Sequence, residues 1–125
     1  MKRIVALVLL AACGPDETVS AFGQSDDYVL QEMNGTSVSP TITLNISEPG
    51  TISGQAPCNR YSATQTAPYP WLEIGPIAAT RAACPELQFE TAYLAQLARM
   101  TLVEVSGPVM ILSNTEQETL VFQIP

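Results

Sequence analysis

The sequence has no histidine and few cations. Of its 125 residues, five are Lys or Arg and twelve are Asp or Glu, which gives a formal net charge of -7. An acidic chain repels phosphate backbones, so we expect no nucleic-acid partner. Histidine is the usual acid–base group near neutral pH and the commonest metal ligand. The sequence also lacks the Gly-x-Ser-x-Gly turn that carries the nucleophilic serine of many hydrolases. We therefore expect a protein that is not an enzyme, with no metal site and no cofactor.

Long apolar runs are also scarce, and the length suffices for one domain. The longest run, Ile4 to Ala12, follows Met1-Lys2-Arg3 and is too short to span a membrane, which takes roughly 20 apolar residues. The basic start and apolar length are typical of a secretory signal. Leu10-Ala11-Ala12-Cys13 further resembles the lipobox of bacterial lipoproteins, in which the cysteine is lipidated and becomes the first residue. A plain secretory signal is the alternative interpretation.

The lipoprotein interpretation predicts a signal peptide over 1–12, a flexible tether over 13–27 and a folded domain over 28–125. By resemblance to Gram-negative lipoproteins, Gly14 after the cysteine favours the outer membrane, with the protein facing the periplasm. The mature chain would keep three arginines against twelve acidic residues, a net charge of -9. We therefore expect the lipid on Cys13 to supply the membrane contact. We also expect a monomer, with an envelope protein as a possible partner.

Apolar residues alternate strictly from Thr41 to Ser47, which predicts a half-buried strand. Gly54 leaves room in the next strand for another backbone or a large ring such as Trp71.

Residues 85–100 predict the single helix. Its apolar residues at helical spacing predict a side that packs on the sheet, with a partner groove as the alternative: Phe89, Tyr93, Leu94, Leu97 and Met100. The expected fold is α+β and mostly β, a curved or barrel-like antiparallel sheet with one packed α-helix.

Three cysteines are present, and Cys13 is assigned to lipid. In an exported protein, the remaining pair of Cys58 and Cys84 predicts a disulfide. A redox-active thiol is one alternative, because Cys84 precedes a helix N-terminus. A metal site is the other, although it lacks histidine and a third sulfur.

The two cysteine motifs together resemble the META domain family of small bacterial envelope proteins. The motifs are Cys58-Asn59-Arg60-Tyr61 and the segment from Ile77 through Thr80-Arg81 to Cys84-Pro85. The resemblance covers about residues 28–123, with Pro57 where the family usually has glycine. It implies a compact, sheet-rich fold with one packed helix, and it implies no catalytic mechanism.

Asn59, Arg60, Thr80 and Arg81 are the candidate binding residues. Their structural interpretation has Asn59 bonding backbone and the arginines pairing with Glu73 or Glu86. Their functional interpretation is a small anion or carboxylate site, since guanidinium groups bind such partners bidentately.

Two functions compete. The first is a non-catalytic, lipid-anchored envelope protein that binds or protects envelope components under stress. The second is a secreted inhibitor of an envelope-attacking protease or lysozyme, with the loop 67–71 as its contact. We expect Trp71 to be a core residue, and exposure of Tyr69 and Trp71 would favour the inhibitor. A serine hydrolase has little support without a histidine base.

Overall fold

The computed structural model of the chain describes residues 15–125. The predicted signal peptide over 1–12 and the predicted lipidation site Cys13 lie outside the described residues. The described part contains nine strands and one α-helix, besides a short 3-10 helix at Val19–Ala21. They are β1 (Tyr28–Met33), β2 (Thr36–Ser37), β3 (Thr43–Leu44), β4 (Thr51–Gln55), β5 (Arg60–Thr64), β6 (Ala78–Ala79), α1 (Leu87–Leu97), β7 (Leu102–Ser106), β8 (Val109–Ser113) and β9 (Thr119–Gln123).

The strands form two antiparallel sheets. The larger has the order β2-β1-β9-β8-β7, with β3 also paired to β1, and the smaller has the order β4-β5-β6. Backbone bonds between Asn45 and Ser53 join β3 to β4, and so join the two sheets. The sheets are not closed into a barrel. The predicted mostly-β fold with one packed helix is therefore confirmed, and the barrel-like shape is corrected to two open sheets.

The turn after β1 is set by its sequence. Asn34 and Gly35 both have positive φ angles, 55° and 82°, which is the geometry that an Asn-Gly pair supports in a tight hairpin. The Asn34 amide then exchanges two hydrogen bonds with the Gln96 amide, at 2.8 and 3.0 Å. Because Gln96 lies on α1, the turn is tied to the C-terminal end of the helix.

One side of α1 is buried, as its apolar spacing predicts. Tyr93 and Leu97 are buried, as is Met100 just after the helix, and Phe89 and Leu94 pack against them half-buried. The helix begins at Leu87 rather than Pro85, because the Leu87 N–H bonds back to the Cys84 carbonyl in a tighter turn. The predicted packing side is confirmed over a shorter helix.

The segment before β1 packs on the domain. Val19 is buried, and the ring of Phe22 stacks on Tyr69 with centroids 4.3 Å apart. The Tyr69 N–H donates to the Glu17 carbonyl at 2.7 Å. The predicted flexible tether over 13–27 is thus corrected in its described part, and the packed domain starts earlier than residue 28.

Candidate functional site

A disulfide joins Cys58 and Cys84, whose Cα atoms lie 5.5 Å apart across 26 positions of sequence. Cys58 lies between β4 and β5, and Cys84 precedes α1. The bond therefore ties the smaller sheet to the start of the helix, and the predicted pairing is confirmed. Since both sulfurs are in this bond, neither is available as a metal ligand or a free thiol.

The carboxylate of Glu90 lies beneath this disulfide and is buried. Its Oε1 accepts hydrogen bonds from the backbone N–H groups of Cys58 and Asn59, at 2.7 and 3.1 Å. Its Oε2 accepts one from Nδ2 of Asn59 at 2.6 Å. Glu90 also lies in the first turn of α1, where a negative charge meets the positive end of the helix dipole. One helix side chain therefore fixes the Cys-Asn segment.

Asn59 uses its whole amide within the protein. Nδ2 also donates to the Ala82 carbonyl at 3.0 Å, and Oδ1 accepts from the Ala82 N–H and the Thr80 hydroxyl, at 2.7 and 2.8 Å. The Thr80 hydroxyl in turn accepts the Arg60 N–H at 3.2 Å. Asn59 and Thr80 thus hold the two cysteine motifs together, and their structural interpretation accounts for every polar atom of the Asn59 side chain.

Arg60 and Arg81 differ from Asn59, because both are exposed. Within residues 15–125, neither forms an ion pair, so the structural interpretation, in which each pairs with a carboxylate such as Glu73 or Glu86, does not hold for these two arginines. Arg99 instead pairs with Glu118 at 2.7 Å. The hydrogen bond from Arg99 lowers the pKa of Glu118, and the same bond raises the pKa of Arg99. Arg60 and Arg81 are therefore the free cations of the described region.

An open groove of about 710 Å³ lies beside Arg60, on the outward face of β4 and β5. Register pairs Arg60 with Gln55 and Ser62 with Ser53, so these side chains share that face. The neutral polar residues that line the groove are Thr43, Asn45, Ser53, Gln55, Ser62 and Thr80. Asp27 also lines the groove, and its carboxylate accepts a hydrogen bond from Asn45 at 2.8 Å. The groove is suited to a small polar ligand that carries a carboxylate.

Two buried tyrosines support the floor of this groove. The Tyr61 hydroxyl donates to the Thr43 carbonyl at 2.6 Å, and it lies 2.6 Å from the Tyr93 hydroxyl. Since Tyr61 has only one proton to give, Tyr93 must donate to Tyr61. Burial raises the pKa of both hydroxyls. A side chain at Gly54 would meet the Thr43 carbonyl and the Tyr61 hydroxyl. The predicted close approach of a backbone and a ring is confirmed, but the ring is Tyr61 and not Trp71.

Trp71 is 56% exposed, and the expectation that it is a core residue is wrong. Its loop is held from beneath by buried Gln65, which accepts the Glu73 N–H at 2.6 Å and donates to the Ala67 carbonyl at 2.8 Å. Tyr69 is half-buried, because its hydroxyl accepts the Val105 N–H and its ring stacks on Phe22. The loop is therefore fixed, with one of its two aromatic rings facing solvent.

Sequence reasoning missed Glu90. A signal was present, because Glu90 precedes Tyr93 by three positions and Leu97 by seven, which places it on the buried side of the helix. An acidic residue on an apolar helix face predicts a buried acceptor with several donors around it. The partners of Glu90 come from a distant loop and follow from no local pattern.

The described residues contain no group of three side chains that could hold a metal ion. None of the helices in that region is long and apolar enough to cross a membrane.

Comparisons with known proteins agree with the fold. The family model described as the META domain matches residues 22–124. An NMR structure of a protein from Burkholderia xenovorans superposes with a TM-score of 0.63 at 27% identity, covering 88% of this chain and 90% of that one. A second NMR structure gives a TM-score of 0.61 at 24% identity, covering 83% and 92%, and it supports the fold alone. A comparison with curated proteins gives no match.

Proposed function

This chain belongs to the META domain family, and from that premise we propose that it is a non-catalytic, lipid-anchored protein of the bacterial cell envelope. In this proposal it binds or protects envelope components under stress. Cys13 carries the lipid, and the domain faces the periplasm from the outer membrane. The disulfide supports export, because such bonds persist in oxidising compartments outside the cytosol.

The observation that carries the binding role is the open polar groove beside Arg60. An unpaired guanidinium on a rigid sheet, among hydroxyl and amide groups, is ready to bind a carboxylate of an envelope peptide or protein. Asn59 and Thr80 act as positioning residues, because they hold the backbone from which Arg60 and Arg81 project. Their polar groups bond to each other and to Glu90, so they are not free to act on a substrate, which supports a non-catalytic role.

Photo-crosslinking in intact envelopes tests this role. A benzoylphenylalanine at Ser62, inside the groove, should capture a partner. The same group at Thr115, an exposed residue outside the groove lining, serves as the matched control. Arg60→Gln should weaken the crosslink from Ser62 and leave protein levels unchanged. Equal crosslinking from both positions would show that the groove has no special role.

Lipidation is tested separately with labelled palmitate. The wild-type chain should incorporate the label, and Cys13→Ser should not. Incorporation that persists in Cys13→Ser would exclude that residue as the site. Fractionation should then find the wild-type protein with the outer membrane, and the variant should be missing from that fraction.

A second candidate function is inhibition of an envelope-attacking enzyme. The exposure of Trp71 meets one half of the criterion for it, whereas Tyr69 is half-buried. An aromatic side chain on a fixed loop is a suitable anchor for a partner pocket, and the net charge of -7 suits a cationic lysozyme. The purified protein should slow lysis of bacterial cells by lysozyme, and Trp71→Ala should relieve the inhibition. Absence of inhibition at a large excess of protein over enzyme would reject this candidate for lysozyme.

A further inference from the structure

The strand β6 forms one edge of the smaller sheet. Ala79 is paired with Tyr61, and the Thr80 N–H donates to the Arg60 carbonyl at 3.1 Å. In an antiparallel ladder the direction of bonding alternates from residue to residue. Since Thr80 directs its backbone toward β5, Ala79 and Arg81 direct theirs away from it. Among the described residues, no group bonds to the N–H or C=O of Ala79 or Arg81.

This edge has a groove on each side. The first is the groove of about 710 Å³ that contains Arg60. The second, of about 380 Å³, lies between β6 and α1, where Leu87 and Leu94 form an apolar wall with Arg81 beside it. Ala79 and Thr80 line both. A groove on each side suits an added strand, because successive side chains of a strand point to opposite faces of the sheet.

Charge indicates what kind of strand the edge would accept. Of the three arginines in the described region, Arg99 is held by Glu118. The other two form no ion pair within that region. Arg81 follows Thr80 directly and lines the second groove, and Arg60 lies opposite Thr80 on the neighbouring strand β5 and lines the first.

Each groove also has one carboxylate in its lining, and both are already hydrogen-bonded. Asp27 accepts from Asn45 in the first groove, and buried Glu90 accepts from Asn59 in the second. In a chain with a net charge of -7, an edge with two free cations favours an acidic segment over a basic one.

We propose that β6 binds an extended acidic segment of another protein as an added strand. Backbone bonds form with Ala79 and Arg81. A carboxylate opposite Thr80 reaches Arg60, a second carboxylate reaches Arg81, and an apolar side chain opposite Ala79 packs on Leu87 and Leu94. The inference rests on the proposed binding role and adds to it the class of partner and the place where that partner attaches.

A short palindromic peptide tests the site in either strand direction. The probe is Ser-Thr-Val-Glu-Glu-Val-Thr-Ser with blocked ends, titrated into the 15N-labelled full protein purified with its disulfide closed. Saturable shifts should appear at the amides of Ala79 and Arg81, and hydrogen exchange of both amides should slow. The same peptide with lysine in place of glutamate should bind more weakly or not at all.

Matched variants locate the contacts. Arg60→Gln and Arg81→Gln should each weaken binding about twofold to fivefold, as expected for an exposed ion pair. Arg99→Gln, which removes a cation elsewhere on the surface, should leave binding unchanged. A peptide N-methylated on alternate residues should lose binding without any change to the protein. Ala79→Pro should lose it as well, and its unfolding curve shows whether the fold is retained.

Several results would overturn the proposal. One is the absence of shifts up to about 1 mM peptide, and another is equal binding of the lysine peptide. Concentration-dependent shifts at Ala79 without peptide would assign the edge to a second copy of this chain instead. Failure here together with a specific crosslink from Ser62 in envelopes would reject the added strand and leave the broader binding role intact.

Discussion

The amide of Asn59 donates to the carboxylate of Glu90 across 2.6 Å, between a loop of the smaller sheet and the first turn of the helix. Glu90→Ala would leave one of the two amide N–H groups, the buried Asn59 backbone N–H and the Cys58 N–H without their acceptor. Unsatisfied buried donors cost about 1–3 kcal/mol each. We expect the free energy of unfolding to fall by about 3 kcal/mol, measured by urea denaturation.

Glu90→Gln is the matched control for that change. Its carbonyl oxygen keeps the two backbone bonds, but its NH₂ meets Nδ2 of Asn59, which cannot flip because Oδ1 already accepts two bonds. The free energy of unfolding of Glu90→Gln should lie between those of wild type and Glu90→Ala. Equal stability of all three proteins would contradict the network.

The disulfide gives a second prediction. Cys58 and Cys84 close a loop of 26 positions, so the chain-entropy relation gives about 3.5 kcal/mol of stabilisation. Replacing both by serine should lower the free energy of unfolding by that amount. Reducing the wild-type protein with dithiothreitol should give a similar loss, whereas the reductant should not affect the double variant. A double variant as stable as the oxidised protein would contradict this prediction.

The tyrosine pair predicts sensitivity to alkali. Burial raises the pKa of Tyr61 and Tyr93 above the ordinary value of 10.0, so the folded state holds its protons more tightly than the unfolded state. Their contribution is therefore complete below pH 10 and is lost as the pH rises above it. Thermal unfolding from pH 8 to 11 should show this fall, and it should be smaller in Tyr61→Phe or Tyr93→Phe.

The direction of the hydrogen bonds makes the two variants unequal. Tyr93→Phe removes a donor and leaves Tyr61 bonded to the Thr43 carbonyl. Tyr61→Phe leaves both the Tyr93 hydroxyl and that carbonyl without a partner in the core. The second change should cost about 1–3 kcal/mol, and more than the first. The reverse order would show that Tyr61, not Tyr93, is the donor of the shared bond.

Acid affects a different pair. The bond from Arg99 lowers the pKa of Glu118 below its ordinary value of 4.5, with Asn114 contributing a second bond. The stabilisation is therefore complete above pH 4.5 and is lost as the pH falls through the lowered value. The difference in melting temperature between wild type and Glu118→Gln should be present at pH 7 and vanish in acid. Salt should reduce the difference at pH 7, because the pair is exposed. A difference that persists in acid would argue against the ion pair.

Trp71 and its neighbour Leu72 give a direct test of the loop. Trp71→Ala should change stability by less than about 0.5 kcal/mol, as for other exposed positions. Leu72→Ala should cost about 2–5 kcal/mol, because Leu72 is buried. Trp71 is the only tryptophan, so its fluorescence reports on this residue alone and should be readily quenched by acrylamide. A protected signal would contradict the exposure.

Sequence reasoning found what depends on local pattern and cysteine count. The packing side of α1 and the Cys58–Cys84 bond both follow from such signals. It misplaced Trp71, which is 56% exposed, in the core. The alternation in residues 71–74 carried the right answer, since it puts Trp71 on the same face as Glu73 and opposite Leu72 and Ile74.

The candidate site was harder to predict for a physical reason. Asn59 and Thr80 were identified as residues, but their roles depend on Glu90 and on the Ala82 backbone, which tertiary folding brings together. The segment before β1 was also hard to predict, because its role depends on tertiary contacts. Val19 and Phe22 lie in a polar stretch without periodicity, and only the surface that receives them makes them part of the domain.

The packing of that early segment bears on how the protein would stand at a membrane. The Glu17 carbonyl accepts a hydrogen bond from the Tyr69 N–H, and only four positions separate Glu17 from Cys13. A fully extended chain covers about 3.5 Å per residue. Acyl chains on Cys13 would therefore hold Glu17, where the packed domain begins, within about 14 Å of the headgroups. The end of the domain that includes the rings of Phe22 and Trp71 would then face the lipid.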